Sequence, residues 1–102
     1  MIQSFADDQT SDVWYGRRHP ALTPTEQRIA LRKLRLLNNA RSLTDLKGVP
    51  GNRLETLKRD RAGQHSIRLE DASRWRICFV WEDGGPDRVE IVDYHVKEGP
   101  RE

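Results

Sequence analysis

The apolar residues of this 102-residue chain follow two rhythms, one before Pro50 and another after it. In the first half, Ala30, Leu31, Leu34 and Leu37 recur at the spacing of one helix face, while Arg28, Arg32 and Arg35 repeat with the same period on another. Thr23-Pro24-Thr25-Glu26 stands just before them, with a threonine cap, a proline at the first helical position and a glutamate placed for a capping box. The pattern predicts a helix from there to about residues 38–41, with one face packed and another cationic. A shorter helix is expected over residues 7–15, capped by Asp7 or Asp8, stopped by Gly16 and packed through Val13 and Trp14. Ile2 to Phe5 reads as a short opening strand. Arg17 to Pro20 is a loop, because a proline disfavours helix at the residue before it, and Ser42 to Gly51 is read as a second loop closed by Pro50-Gly51.

Beyond Pro50 the period shortens to that of strands. Four runs, Arg53 to Leu57, His65 to Leu69, Trp75 to Trp81 and Arg88 to Tyr94, are separated by the turn signals Arg61-Ala62-Gly63, Glu70 to Ser73 and Asp83-Gly84-Gly85-Pro86. Connections this short imply antiparallel neighbours. Trp75 to Trp81 is apolar on both phases, as a central strand is. Arg76 shares the phase of Cys78 and Val80, so its stem should be partly buried. The order predicts an α+β fold of βααββββ form, with two N-terminal helices packed on a mainly antiparallel sheet.

Length allows one domain and one modest core. With 35% hydrophobic and 33% charged residues, that core must be concentrated in the segments just named. A single cysteine, Cys78, excludes an intrachain disulfide, and no paired Cys/His spacing suggests zinc. No metal or cofactor is expected. Neither a signal pattern nor an apolar span is visible, which reads as a cytoplasmic protein without a membrane partner.

The formal charge of +2 hides a strong asymmetry: residues 16–76 hold fifteen Lys/Arg against six Asp/Glu, whereas residues 77–102 hold seven acids against three bases. A basic block of this kind fits a binder of phosphate backbones, and it also fits a solvated face. Cleaving RNA without a metal needs a base for a 2′-hydroxyl, a cation for the phosphate and a proton for the leaving oxygen. The candidates are Lys58, Arg59 and Arg61 after one strand, Arg76 at the start of another, and Asp93-Tyr94-His95 at the end of the last. Each has a plainer reading. The lysine and arginines with Asp60 can form a solvated turn, Arg76 can pair with an acid on an adjacent strand, Tyr94 can be a core aromatic, and His95 can lie beyond the sheet. His19 and His65 read as loop and strand residues rather than ligands, and Cys78 as a small hydrophobe.

Taken together, NRLETLKRDRAGQHSIR, WRICFVW and VEIVDYH, in that order within residues 50–95 and after the opening Met1 to Phe5, resemble the HigB branch of the RelE/ParE toxin superfamily, the plasmid-maintenance killer proteins. The resemblance covers residues 1–95 as one toxin domain, with residues 96–102 as a mobile tail. It implies a RelE-like, microbial-ribonuclease-type fold and a type II toxin that cuts messenger RNA on the ribosome, a metal-independent endoribonuclease inhibiting translation and growth. The implied partners are the ribosome, messenger RNA and a HigA-like helix-turn-helix antitoxin, with operator DNA met only through that antitoxin. The family's active-site groups fall on Lys58, Arg76, Asp93, Tyr94 and His95. Arg76 and Lys58 are assigned to the phosphate, and proton transfer to His95, oriented by Asp93 or Tyr94. Some members have histidine where this chain has Glu55, and a glutamate there remains a candidate base. Arg17, Arg18, Arg28, Arg32 and Arg35, with Arg59 and Arg61, are the candidate contacts to RNA and ribosome. The competing readings are a non-enzymatic gyrase inhibitor resembling ParE, which would not require Lys58, Arg76 and His95, and an RNA-binding regulatory partner.

Overall fold

A computed structural model describes residues 1–93; Tyr94, His95 and the tail expected at 96–102 lie outside the described residues. The chain forms α1 (Asp8–Trp14), α2 (Pro24–Asn39), α3 (Leu43–Lys47), β1 (Glu55–Thr56), a single 3₁₀ turn (Arg59–Arg61), β2 (His65–Arg68), β3 (Trp75–Glu82) and β4 (Gly85–Asp93). The four strands form one antiparallel sheet in the order β1-β2-β3-β4. β3 is interior, as its apolar character on both phases requires. No helix among the described residues is long and apolar enough to cross a membrane.

The α2 start is closed by the anticipated capping box: Thr23 Oγ1 accepts from the Glu26 N–H at 3.1 Å, and Glu26 Oε1 accepts from the Thr23 N–H at 2.9 Å. Asp7 caps α1, its carboxylate accepting from the Thr10 N–H at 2.8 Å. Ile29, Ala30, Leu34 and Leu37 of α2 and Val13 of α1 pack with Ile67, Ile77, Phe79, Val89 and Ile91 of the sheet into one core. Both helices therefore cover the same sheet face. Lys33 is buried within this layer, donating to Asn52 Oδ1, and burial together with the nearby Arg32 charge lowers its pKa. The Asn52 side chain in turn donates to the Leu46 carbonyl at 3.1 Å, and its backbone carbonyl accepts from the Arg68 N–H at 2.6 Å, which anchors the segment leading into β1.

Three expectations are corrected. Residues 42–51 are not all loop: α3 forms there without a side-chain bond from its cap Ser42, helped by Asp45, which accepts from the Arg41 N–H at 2.8 Å. β1 holds only two residues, because Arg53 takes a left-handed φ of 49° and the 3₁₀ turn follows directly after Lys58. The opening segment is not a full strand; it runs parallel to β4 through one bridge, Phe5 with Val89, and the Gln3 N–H donates to the Pro86 carbonyl at 2.9 Å. Its close approach explains Gly85, where a Cβ would lie 2.6 Å from the Met1 carbonyl oxygen. The β3–β4 hairpin turns on Asp83 and Gly84, whose φ of 54° and 80° suit the tight turn that Asp-Gly favours.

Candidate active site on the open sheet face

The described helices pack on one sheet face and leave the other, the open face, free of helices, and pleat alternation decides what stands on it. The register pairs Glu55 with Ser66, Ser66 with Cys78 and Cys78 with Glu90, one line across all four strands. The next rung pairs Arg68 with Arg76 and Arg76 with Val92. Leu57, Cys78 and Val92 pack together as a small buried apolar floor, separate from the main core. Arg76 rises from that floor, 8% exposed, as its phase predicted.

Its guanidinium is held from the β1 side. Nη1 donates to Glu55 Oε1 at 2.6 Å and to the hydroxyl of buried Ser66 at 3.3 Å. The Glu55 carboxylate that pairs with Arg76 comes from β1, across β2. The Glu55 side chain is 56% exposed, so the carboxylate can meet an arriving ligand while the arginine stays mostly covered. Arg61, reaching in from the 3₁₀ turn, donates to Gln64 Oε1 at 2.9 Å and lies 3.3 Å from Glu90 Oε1 on the same face. Lys58 and Arg59 are exposed beside it. The arrangement is a cationic site with a solvent-facing carboxylate at its centre, able to hold a phosphate and to accept a proton.

Asp93 stands one step off this phase. Its strand partner is Trp75, and its carboxylate lies 3.3 Å from Arg74 Nε. Tyr94 and His95 lie outside the described residues. Among the described residues no group of His, Cys, Asp and Glu has the geometry of a metal site. His65 belongs to the opposite phase, its ring 5.9 Å from Phe79 and its Nδ1 3.3 Å from the Thr56 hydroxyl, with burial lowering its pKa.

A family described as "RelE-like toxin of type II toxin-antitoxin system HigB" matches residues 3–95. The chain belongs to the HigB-like toxin family. It is also 35% identical over 68 residues to Toxin HigB-1 of Vibrio cholerae serotype O1 (strain ATCC 39315 / El Tor Inaba N16961), covering 67% of this chain and 70% of that one. A HigB-like toxin is the toxic half of a type II toxin-antitoxin pair, so a cognate antitoxin follows from the family.

On this HigB-like toxin the remaining candidate cations lie on the helical side. Arg28, Arg32 and Arg35 are exposed along α2 and, with Thr25, Ile29 and Leu31, line a groove of about 420 Å³. Arg17 and Arg18, in the loop between α1 and α2, are engaged by those helices and by the loop itself. Arg17 lies 3.3 Å from Asp12 and over the Tyr15 ring, while Arg18 donates to Gln27 Oε1 at 2.8 Å and to the Leu22 carbonyl at 2.9 Å. Sequence reasoning did not single out Ser66, Arg68 or Glu90, which join the open face only through strand register. Arg68 stands directly opposite Arg76 and donates to the Asp71 carbonyl at 2.6 Å.

Proposed function

We propose that this HigB-like toxin is a metal-independent endoribonuclease that cuts messenger RNA on the ribosome, in the cytoplasm, and so stops translation and growth. The observation that carries the reading is the Arg76–Glu55 pair at 2.6 Å on the open sheet face, a fixed cation beside an accessible carboxylate. In the reaction, a base takes the proton of a ribose 2′-hydroxyl, the 2′-oxygen bonds to the neighbouring phosphorus, and the bond to the 5′-oxygen breaks as that oxygen receives a proton. Arg76 and Lys58 support the charge gathering on the phosphate. Glu55 is a candidate base, and His95 supplies or takes up protons with Tyr94 or Asp93 orienting it. Side chains alone meet these requirements.

Arg28, Arg32 and Arg35 on α2, with Arg59, Arg61 and the loop residues Arg17 and Arg18, contact ribosomal or messenger RNA through phosphates. The antitoxin is HigA-like with a helix-turn-helix domain, and operator DNA is met only through it. Mapping 5′ ends of messenger RNA after brief induction tests the reading. Wild type should create new ends inside translated frames, and Arg76→Ala and His95→Ala should not. Growth arrest without new ends would favour a binding-only inhibitor, such as one acting on gyrase.

A further inference from the structure

Arg76 Nη1 is shared by two acceptors of opposite character. Glu55 Oε1 at 2.6 Å belongs to a side chain more than half exposed, whereas the Ser66 hydroxyl at 3.3 Å is fully buried. A carboxylate that faces solvent can swing away or take a proton; a hydroxyl sealed between β1 and β3 cannot leave. We infer that Ser66 is a positioning residue, the fixed pivot about which the Arg76 guanidinium is handed from the Glu55 carboxylate to the substrate phosphate during cleavage.

The inference rests on the nuclease reading and gives it an order of events. Before reaction Glu55 holds the Nη1 charge-assisted bond. As Glu55 takes the 2′-hydroxyl proton, its negative charge disappears and its grip on Arg76 weakens. At the same moment the new bond from the 2′-oxygen to phosphorus places negative charge on the phosphate oxygens, where the released N–H can donate. The 5′-oxygen then departs with a proton from a separate acid, the role given above to His95. Throughout, Ser66 and the apolar floor of Leu57, Cys78 and Val92 keep the guanidinium from following Glu55 outward. A donor already fixed where charge develops does not need to reorganise in the transition state, which is where its contribution to rate arises.

The test is single-turnover cleavage of messenger RNA on programmed ribosomes by wild type, Ser66→Ala, Ser66→Thr, Arg76→Ala and the Ser66→Ala/Arg76→Ala double variant. Wild type must cut; if it does not, the nuclease reading fails and the inference with it. With wild type active, Ser66→Ala is expected to slow the chemical step about 10-fold, the size of one hydrogen bond to a charged group, with half-saturation within about twofold. Ser66→Thr keeps the hydroxyl and should cut faster than Ser66→Ala, although its extra methyl makes it the worse fit for packing. Against the slow residual single-turnover rate of Arg76→Ala, Ser66→Ala should add nothing. Equal rates for wild type and Ser66→Ala, a threonine slower than alanine, or an undiminished Ser66 effect without Arg76 would each overturn the pivot.

Discussion

At the scale of single residues, burial sets what each group can do. Arg76 is mostly covered and Glu55 is not, so the two differ in freedom although they touch. Glu55→Gln keeps the shape while removing both the proposed base and the charge that holds Arg76 in the free protein. Cleavage should fall on the order of 10²-fold, as for loss of a general base, with an unchanged unfolding transition; an equally active Gln variant would take Glu55 out of the chemistry. His19 shows the same logic in a structural role. It is 4% exposed, its ring meets Trp75 edge-on at 5.9 Å, and its Nδ1 accepts the Ala21 N–H at 3.1 Å, which requires that nitrogen to be unprotonated. Burial lowers its pKa, so the folded state resists the proton that the unfolded chain accepts near pH 6.5. The unfolded state then binds more protons below that value, and stability must fall with pH from about 6.5 downward. His65 is shifted the same way. Urea midpoints at pH 7.5 and 5.5 should therefore drop for wild type and drop less for His19→Gln, whereas equal drops would remove His19 from the effect.

At the scale of elements, legibility followed the strength of local signals. α2 was readable because its capping box, Pro24 and apolar stripe agree, and the box is fully formed. Thr23→Ala removes one of its two reciprocal bonds and should cost about 1 kcal/mol, a fall in Tm of roughly 4–8 °C for a domain of this size; calorimetry showing no change would mean that packing alone fixes the α2 start. β3 was readable for a different reason, since an apolar run on both phases has no place except mid-sheet. α3 and β1 were not. Five residues after a serine that makes no cap bond, inside a stretch ending in Gly48, Pro50 and Gly51, have too little period to distinguish helix from loop. β1 is cut short by a backbone φ of 49° at Arg53, a residue whose side chain gives no hint of it. The site divided in the same way. Arg76 was legible from its phase, and Glu55 from the family's motif. Ser66, Arg68 and Glu90 needed the register, because a shift of one residue between strands would have sent each to the other face.

At the scale of the whole molecule, the basic residues fall on two surfaces set back to back. The open sheet face carries Arg61, Arg68 and Arg76 with two carboxylates among them, while the exposed side of α2 carries Arg28, Arg32 and Arg35 around a groove floored by Ile29 and Leu31. The core lies between, so one phosphate chain segment cannot touch both at once. Under the proposed function this divides the labour: the α2 surface would supply affinity for ribosomal RNA and the sheet face the chemistry. Cations that neutralise phosphates release counterions, so taking one such cation away lowers the slope of log affinity against log salt by about 0.7–1. Changing Arg28, Arg32 and Arg35 together to Ala should weaken co-sedimentation with ribosomes and flatten that slope by as much as about three, without altering the Arg76–Glu55 geometry. Arg76→Ala should leave ribosome binding within a few-fold of wild type and slow cleavage on the order of 10²- to 10³-fold, to a residual rate. The pair of variants thus separates the two surfaces: if the triple variant sediments like wild type across the salt series, α2 is a solvated helix face and ribosome affinity must come from the sheet side.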